Sequence, residues 1–426
     1  MKLDRKFWDD TVWNYGSLAV VASSGLFINF IIAGKMGAQA LGVFNQTYAV
    51  YVIAAQIAAM AVHDSVQKHV AQHEADRNLC NVVSAAALIH SALTGLLCAL
   101  VVYVSSTLIG DVLDSPATAT GIALTAPGLF LFSVNKVLLG ILNGQRKMRF
   151  YAIGQAIRGF GIFLVCFAIA FNNMAASWLG ISFTLTEAVL FPYLLFVGAP
   201  RTVNWRFEGE LKNWTRLHFS FGSRAFVNGL LSEAYIRVDV IMLGMFLSDE
   251  KVGIYSFAAM FVEGIYQLSV VIRTISNPVL VKLLSPLDKL ALGAFVRRIS
   301  GLSFLATAAA ATVLFVVFPY LDMVFNPEMI EAGYPALMIL LGGMTVFSIF
   351  VPTDQILLQA GWPGRQSLMM LMNILLNVIL NFMFIPIYGL IGAASATAIS
   401  FVGAGLLLNV LAWRFLGLKG GLLVAK

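Results

Sequence analysis

The chain has 426 residues, of which 59% are hydrophobic and 11% are charged, and its formal net charge is +6. Soluble domains do not contain so much apolar and so little charged sequence, so we expect a membrane protein and no soluble catalytic module. The positive charge does not indicate a nucleic-acid partner, because basic cytoplasmic connections and anionic lipids account for it. The cysteines, Cys80, Cys98 and Cys166, predict no disulfide framework.

Apolar stretches of about twenty residues fill the chain, and each is long enough to cross a ~30 Å hydrocarbon core as a helix. Their number predicts an all-α polytopic membrane protein with twelve transmembrane helices. The first is interpreted as an uncleaved helix and not as a signal peptide. The predicted spans are 14–34, 42–61, 82–105, 120–142, 151–171, 178–196, 219–247, 254–276, 300–320, 334–359, 368–387 and 390–413.

The basic residues predict the orientation of these spans, because short cytoplasmic connections carry an excess of Lys and Arg. The connections on one predicted side contain Lys35 and Lys251 as their basic residues, whereas the other side carries runs such as 146–149 (Arg-Lys-Met-Arg). With an even number of spans, both termini are predicted to be cytoplasmic.

An internal duplication is visible when the sequence is shifted by 211 residues, which places 41–44 (Leu-Gly-Val-Phe) over 252–255 (Val-Gly-Ile-Tyr). It predicts two six-helix lobes, 1–205 and 206–426, that form parallel repeats about an axis along the membrane normal. Such repeats enclose a substrate path and alternate its access by rocking. The alternative is a duplicated scaffold without a path.

The last two spans contain the segments 373–377 (Asn-Ile-Leu-Leu-Asn), 385–389 (Ile-Pro-Ile-Tyr-Gly), 392–394 (Gly-Ala-Ala) and 396–397 (Ala-Thr). These segments resemble the signature of the polysaccharide transporter branch of the multidrug, oligosaccharidyl-lipid and polysaccharide (MOP) flippase superfamily. The segment 237–239 (Arg-Val-Asp) is similar to the same branch. The small residues 392–396 and 398 are interpreted as structural, because they allow close helix packing, and so are Pro386, Tyr388 and Gly389, which suit a tight turn.

The resemblance implies a MATE-like fold and a flippase function. Its implied substrate is an undecaprenyl-pyrophosphate-linked oligosaccharide, the repeat unit of an O-antigen, capsule or exopolysaccharide, moved from the inner to the outer leaflet of a bacterial inner membrane. The implied partners are this lipid-linked oligosaccharide, membrane lipids and other polysaccharide assembly proteins. No cofactor is expected, and the sequence contains no Walker motif.

Charged residues inside the spans are the main functional candidates. An ionised side chain at the bilayer centre costs about 2.5 to 3.5 kcal/mol, so it normally faces a bundle interior or a wet cavity. The spans contain Lys136, Arg158, Glu187, Arg224, Glu233, Arg237, Asp239, Glu263, Arg273 and Asp354.

Arg224 and Arg237 are predicted to bind the pyrophosphate and sugars of the substrate, because guanidinium groups suit phosphate oxygens. In the alternative interpretation, Glu233 lies four residues before Arg237 and neutralises it in a structural salt bridge.

Three further basic residues, Lys136, Arg158 and Arg273, are also candidates for substrate binding. Lys136 and Asp354 occupy nearly equivalent positions of the two repeats, so they form either an ion pair across the lobes or two unrelated pairs. Arg158 is expected to pair locally with Glu187. Arg273 lies near a span end, from which it could instead extend to the interface.

Four carboxylates are candidates for coupling transport to H⁺ or Na⁺. Asp239 and Glu263 come first, since a carboxylate buried at the midplane can exchange a proton, and Glu233 and Asp354 are added to them.

By resemblance, spans 1, 2, 7 and 8 line the central cavity. The polar residues that they would contribute are Asn29, Asn45, Gln56 and Gln267; contacts between helices without a ligand are the alternative for each.

Two other functions compete with the flippase. A MATE-like multidrug or cation antiporter is disfavoured by the balance of five basic and five acidic residues in the spans, because a cationic cargo suits acid-lined walls. A membrane-embedded glycan polymerase would need a large outer loop, so an enzyme is not expected. The spacing of His69 and His73, with His63 and Glu74 nearby, suits zinc. The Glu that follows the first His in metalloproteases is missing and no Cys joins them, so no metal site is expected.

Overall fold

The computed structural model describes residues 5–199, 208–285 and 287–417. These residues are almost entirely helical, which confirms the all-α class. The helices are α1 (Arg5–Ala59), α2 (Val62–Gln72), α3 (Arg77–Val112), α4 (Pro116–Gly144), α5 (Met148–Phe171), α6 (Ile181–Gly198), α7 (Glu208–Phe246), α8 (Asp249–Leu284), α9 (Lys289–Val317), α10 (Pro327–Phe347), α11 (Ile356–Gln359) and α12 (Pro363–Leu416).

Among the described residues, nine helices are long and apolar enough to cross a membrane. Two of them, α1 and α12, have 55 and 54 residues, and each contains a glycine outside the helical region, Gly37 with φ 85° and Gly389 with φ 57°. About 20 residues suffice for one crossing, so each of these helices is long enough for two. The predicted turns after spans 1 and 11 therefore coincide with glycine kinks, while the count of twelve and the cytoplasmic termini remain predictions.

The chain divides into two compact units, Met1–Glu233 (unit 1) and Ala234–Lys426 (unit 2). The division falls inside α7, whereas the duplication predicts a boundary at 205/206. That boundary lies in the stretch 200–207, outside the described residues, and the two lobes remain a prediction.

The core of unit 1 includes the short helix α2, whose valines Val62, Val66 and Val70 recur every four residues and are buried together. Two glycines of α4 allow α2 to approach closely. A Cβ atom on Gly140 would lie 2.6 Å from the backbone oxygen of His63, so no larger residue fits without a shift.

Unit 2 has its core among α8, α9, α11 and α12, and here one predicted span is wrong. The segment 334–359 was expected to be a single helix, but α10 ends at Phe347, and a 3₁₀ turn, Val351–Thr353, precedes α11. Pro352 explains the break, since it has no N–H to continue the helical hydrogen bonds. The interruption places Asp354 between two helical segments.

Candidate functional site

Unit 1 contains a cavity of about 600 Å³, which we call the unit 1 pocket. Helices α1, α4, α5, α6 and α7 all contribute to its wall. Among the lining residues are Gln56, Phe132, Lys136, Arg158, Glu187 and Glu233, so several residues predicted from the sequence meet here.

Arg158 and Glu187 form a bidentate ion pair in this pocket, as the sequence predicted. Nε of Arg158 lies 2.6 Å from Glu187 Oε1, and Nη2 lies 3.1 Å from Oε2. Only 3% of the Glu187 side chain is exposed, and Asn135 donates a further hydrogen bond of 2.7 Å to it. The charge of Arg158 is therefore compensated, and its guanidinium group is held in place against α6.

Lys136 lies beside this pair, with its ammonium group 5.8 Å from the centre of the Phe132 ring, which Arg158 also approaches to 4.8 Å. No carboxylate of the described residues lies within 4.0 Å of Lys136. Asp354 has a partner of its own, Arg273 in unit 2 at 2.6 Å, as the alternative of two unrelated pairs expects. Lys136 is thus the cation of the unit 1 pocket that lacks such a counter-ion.

Aromatic rings and amides form much of the remaining wall of the unit 1 pocket. Tyr51 stacks on Phe183 with 4.5 Å between ring centres, and Tyr48 stacks on the same ring at 5.7 Å. Gln56 on α1 donates to Glu233 on α7 over 3.5 Å. Rings with a few oriented polar groups are typical of ligand pockets.

The alternative interpretation of Arg237 was an intrahelical pair with Glu233. The structure instead places Arg237 Nη1 4.0 Å from Glu263 Oε1 on α8, while Glu233 receives the bond from Gln56. Helical spacing places residues i and i+4 on one face, but it does not reveal a partner on a neighbouring helix. Arg237 therefore joins α7 to α8.

Unit 2 contains a polar cluster around Asp239, which we call the Asp239 cluster. The carboxylate accepts hydrogen bonds from Thr397 at 2.6 Å, from Asn381 at 2.8 Å and from Tyr255 at 3.3 Å. Asn381 also donates to Asn377 Oδ1 at 2.8 Å, and the Oδ1 atom of Asn381 itself is buried without a hydrogen-bond partner. Several oxygen atoms thus converge around one carboxylate.

Glu263, the second predicted coupling carboxylate, has a different environment. It lines the same small cavity of about 110 Å³ as Asp239, but 51% of its side chain is exposed and its ion-pair partner Arg237 is 4.0 Å away. Gln267, one turn further along α8, is exposed. Of the two carboxylates, Asp239 has the more complete set of hydrogen-bonding partners.

Arg273 is paired with a carboxylate of unit 2. Its Nη1 atom lies 2.6 Å from Asp354 Oδ2 and 3.5 Å from the Tyr266 hydroxyl. Gln366 on α12 donates to the backbone oxygen of Asp354 at 2.9 Å. The group joins α8 and α12 at the break after α10.

Three other predicted substrate residues lie outside the unit 1 pocket. Arg224 is exposed, and its guanidinium group bonds to Ser220 on its own helix. Asn45 donates to Asn29 at 3.3 Å, and both amides also bond to backbone oxygens of α1. The two asparagines thus bond to each other and to their own helix, and their place in a substrate path stays a prediction.

Several residues of these sites were not predicted from the sequence. Asn135 bonds to Glu187, and Asn381 and Thr397 bond to Asp239. Asn377 and Thr397 belong to the segments that carry the family resemblance, but no role was predicted for either. A usable signal existed, because Asn377 and Asn381 are amides one helical turn apart in an otherwise apolar span.

The histidines of α2 are packed against neighbouring groups. His69 lies edge-on to Trp214 with 5.1 Å between ring centres, and burial lowers its pKa from the ordinary value. Burial, with smaller contributions from Lys136 and Arg158, lowers the pKa of His63 to about 3. Both imidazoles are therefore neutral at physiological pH.

The fold is similar to that of two solved transporters. One is an inward-facing multidrug resistance MATE family transporter of the MOP superfamily, with 13% identity, 92% of this chain and 95% of that chain covered, and a TM-score of 0.74. The other is the lipid II flippase MurJ in an inward closed conformation, which is 17% identical. The match covers 93% of this chain and 86% of that chain, with a TM-score of 0.71. The chain thus shares the fold of these two transporters, and the nine long apolar helices among the described residues are those of a multi-pass membrane protein.

Residues 7–284, more than half of the chain, match the family described as polysaccharide biosynthesis protein, and the chain belongs to that family. Two relatives come from the archaeon Haloferax volcanii. The probable low-salt glycan biosynthesis flippase Agl15 is 26% identical over 237 residues, which cover 53% of this chain and 50% of the relative. The probable flippase AglR is 24% identical over 397 residues, which cover 91% of this chain and 79% of the relative. This chain therefore spans half of the first relative.

Proposed function

We propose that the protein is a flippase that moves a polyprenyl-pyrophosphate-linked oligosaccharide from the inner to the outer leaflet of the cytoplasmic membrane. The observation that carries the proposal is the unit 1 pocket, in which Lys136 has no carboxylate of the described residues within 4.0 Å. Membership of a polysaccharide biosynthesis family and two relatives named as probable flippases support it. Those relatives are archaeal, so the proposal does not specify a bacterial membrane or an undecaprenyl carrier.

Lys136 supplies the electrostatic part of the argument. A charged group in an apolar surrounding is costly unless it is paired, and Arg158 is already neutralised by Glu187. A phosphate or carboxylate of an anionic cargo would provide the missing partner for the ammonium group. A cationic drug would be repelled by it, although Glu233 in the same wall limits this discrimination.

The rest of the pocket suits sugars. Tyr48 and Tyr51 offer apolar ring faces, and the side-chain amides of Gln56 and Gln155 offer donors and acceptors for hydroxyl groups. A volume of about 600 Å³ lies within the range of ligand pockets of about 300–1,000 Å³. We assign the pocket to the head group of the substrate, and alternating access of the two predicted lobes would expose it to either leaflet.

Ion coupling is assigned to the Asp239 cluster. A cation at Asp239 would take its ligands from the carboxylate and from the oxygens of Asn377, Asn381 and Thr397, which are the hard donors that such ions prefer. A proton would neutralise the same carboxylate. Either ion would change the bonds between α7 and α12, and this gives a physical route from ion binding to movement of unit 2 helices.

The transport proposal is tested in reconstituted vesicles. A labelled polyprenyl-pyrophosphate-linked oligosaccharide is incorporated, and its sugars are oxidised from outside by periodate, which does not cross the bilayer. We expect protein-dependent oxidation of the inner-leaflet pool. Failure to move this lipid, together with protein-dependent uptake of a cationic dye, would contradict the proposal and favour the antiporter; chemical extension or cleavage of the glycan would favour the polymerase.

A further inference from the structure

A second concave site lies on unit 1, between α3 and the first turns of α7. It is an open groove of about 790 Å³, lined by Ile89 and His90 on one side and by Lys212, Arg216 and Phe219 on the other. None of these residues lines the unit 1 pocket. We call it the α3–α7 groove.

The rim of the groove is cationic. Lys212, Arg216 and Phe219 follow one another at positions i, i+4 and i+7, so they share one face of α7. Both basic side chains are exposed, and no carboxylate of the described residues lies within 4.0 Å of either. The site therefore favours an anion at its rim.

The floor of the groove is apolar and continues along α3. Ile89 is 39% exposed, and it is followed at four-residue spacing by Leu93 and Leu97, which are 63% and 65% exposed. Such a stripe, on a helix long and apolar enough to cross a membrane, suits acyl chains. The groove therefore combines an apolar floor with a charged rim.

His90 gives an independent indication of a ligand. The residue is only 7% exposed, and its Nε2 atom is buried without a hydrogen-bond partner among the described residues. The Phe219 ring covers it, with 5.9 Å between ring centres. A buried polar atom without a partner is unfavourable, and an oxygen atom of a ligand that displaced Phe219 would satisfy it.

We propose that the α3–α7 groove binds one anionic phospholipid of the surrounding bilayer. Its phosphate lies between Lys212 and Arg216, an acyl chain lies over Ile89 and Leu93, and an ester carbonyl of the lipid accepts a hydrogen bond from His90. The bound lipid would hold the start of α7 against α3. This assignment does not depend on the transport proposal, because it uses other residues and another ligand.

The test measures lipid selectivity by native mass spectrometry. The delipidated full-length protein is mixed with phosphatidylglycerol and phosphatidylcholine that have the same acyl chains. We expect the wild type to retain phosphatidylglycerol preferentially, and K212Q/R216Q to lose this preference by about fivefold for each cation removed. His90→Phe should weaken the retention of both lipids and leave their ratio unchanged.

The matched control is K282Q/R298Q, which removes two exposed basic residues of unit 2 and should keep the wild-type preference. Size-exclusion profiles establish that each variant is folded. Equal preference in the wild type and in K212Q/R216Q would overturn the proposal, as would an equal loss in the control. Displacement of phosphatidylglycerol by inorganic phosphate would also overturn it, because the groove would then recognise a soluble anion and not a lipid.

Discussion

Asp239 on α7 and Thr397 on α12 are joined by a hydrogen bond of 2.6 Å from the threonine hydroxyl to Oδ2 of the carboxylate. Asn381 donates to the other carboxylate oxygen at 2.8 Å. Thr397 and Asn381 lie on opposite sides of the non-helical residue Gly389. One carboxylate of α7 therefore holds both segments of α12, and any change in its charge acts on three helical segments together.

The first prediction concerns ion dependence. Asp239→Asn keeps the shape of the side chain but cannot bind a proton or complete a cation site. We expect flipping by this variant to fall by about tenfold or more and to lose its dependence on pH or sodium, because one charge-assisted contact is worth about 1.5–3 kcal/mol. Initial rates in vesicles with imposed proton or sodium gradients provide the measurement.

Glu263→Gln is the matched control for Asp239→Asn, since it makes the same chemical change in the same cavity of unit 2. Glu263 is half exposed and 4.0 Å from Arg237, so its loss should leave the ion dependence intact. If Asp239→Asn retained the wild-type response to both gradients while Glu263→Gln lost it, the coupling role would pass to Glu263.

The second prediction concerns cargo binding in the unit 1 pocket. Lys136→Gln removes the ammonium group but retains a hydrogen-bond donor. We expect a loss of about 10- to 100-fold in flipping of an anionic lipid-linked glycan, with less effect on any neutral lipid that is moved. The ratio of the rates for the two lipids is the decisive measurement.

Lys35→Gln controls for the loss of a lysine that packs on a ring. Lys35 lies 5.1 Å from the centre of the Phe171 ring, as Lys136 lies 5.8 Å from that of Phe132, but Lys35 is not part of the pocket. Its substitution should leave both rates unchanged. An equal reduction for anionic and neutral lipids in Lys136→Gln would show that the lysine does not recognise charge.

The third prediction concerns stability. Arg158→Gln leaves the carboxylate of Glu187 buried with Asn135 as its side-chain partner, and we expect a loss of about 3–5 kcal/mol in the free energy of unfolding. R158Q/E187Q should lose less than the sum of its single variants. Chemical unfolding in detergent measures all three variants.

The exposed contact between Arg146 and Asp10 provides the comparison for the buried pair. Its atoms are 3.7 Å apart, and 54% of the arginine side chain is exposed. Arg146→Gln should cost at most about 1 kcal/mol. Similar losses for Arg158→Gln and Arg146→Gln would mean that burial does not strengthen the inner pair.

The helical class was predictable because long apolar runs have one stable form in a bilayer, in which the backbone satisfies its own hydrogen bonds. The turn at Gly389 was also recognisable, because Pro386 and Gly389 suit a tight turn. The structure gives Gly389 a φ of 57°, which suits a residue without a Cβ atom. The break after α10 was missed. Hydropathy does not register a single residue such as Pro352, which ends a helix without making the segment less apolar.

The candidate sites were only partly predictable, because spacing along one helix identifies a face but not the neighbour that meets it. Arg158 and Glu187 were correctly paired by type and by proximity of their spans. Arg237 was matched with Glu233, but the structure places it near Glu263. The ligands of Asp239 were missed for a different reason, since uncharged Asn381 and Thr397 attract no attention in a search for charges.

The fourth prediction concerns acid sensitivity at α2. Burial lowers the pKa of His63 to about 3, so between pH ~6.5 and about 3 the unfolded chain binds a proton that the folded chain does not. Stability should therefore be complete above pH ~6.5 and fall as the pH is lowered, by at most about 1.4 kcal/mol per pH unit. His63→Gln should reduce this fall in thermal unfolding at pH 7.5 and pH 5. The control is Val66→Ala, on the buried face of the same helix, which should lower stability equally at both pH values. An unchanged acid response in His63→Gln would assign the sensitivity to another group.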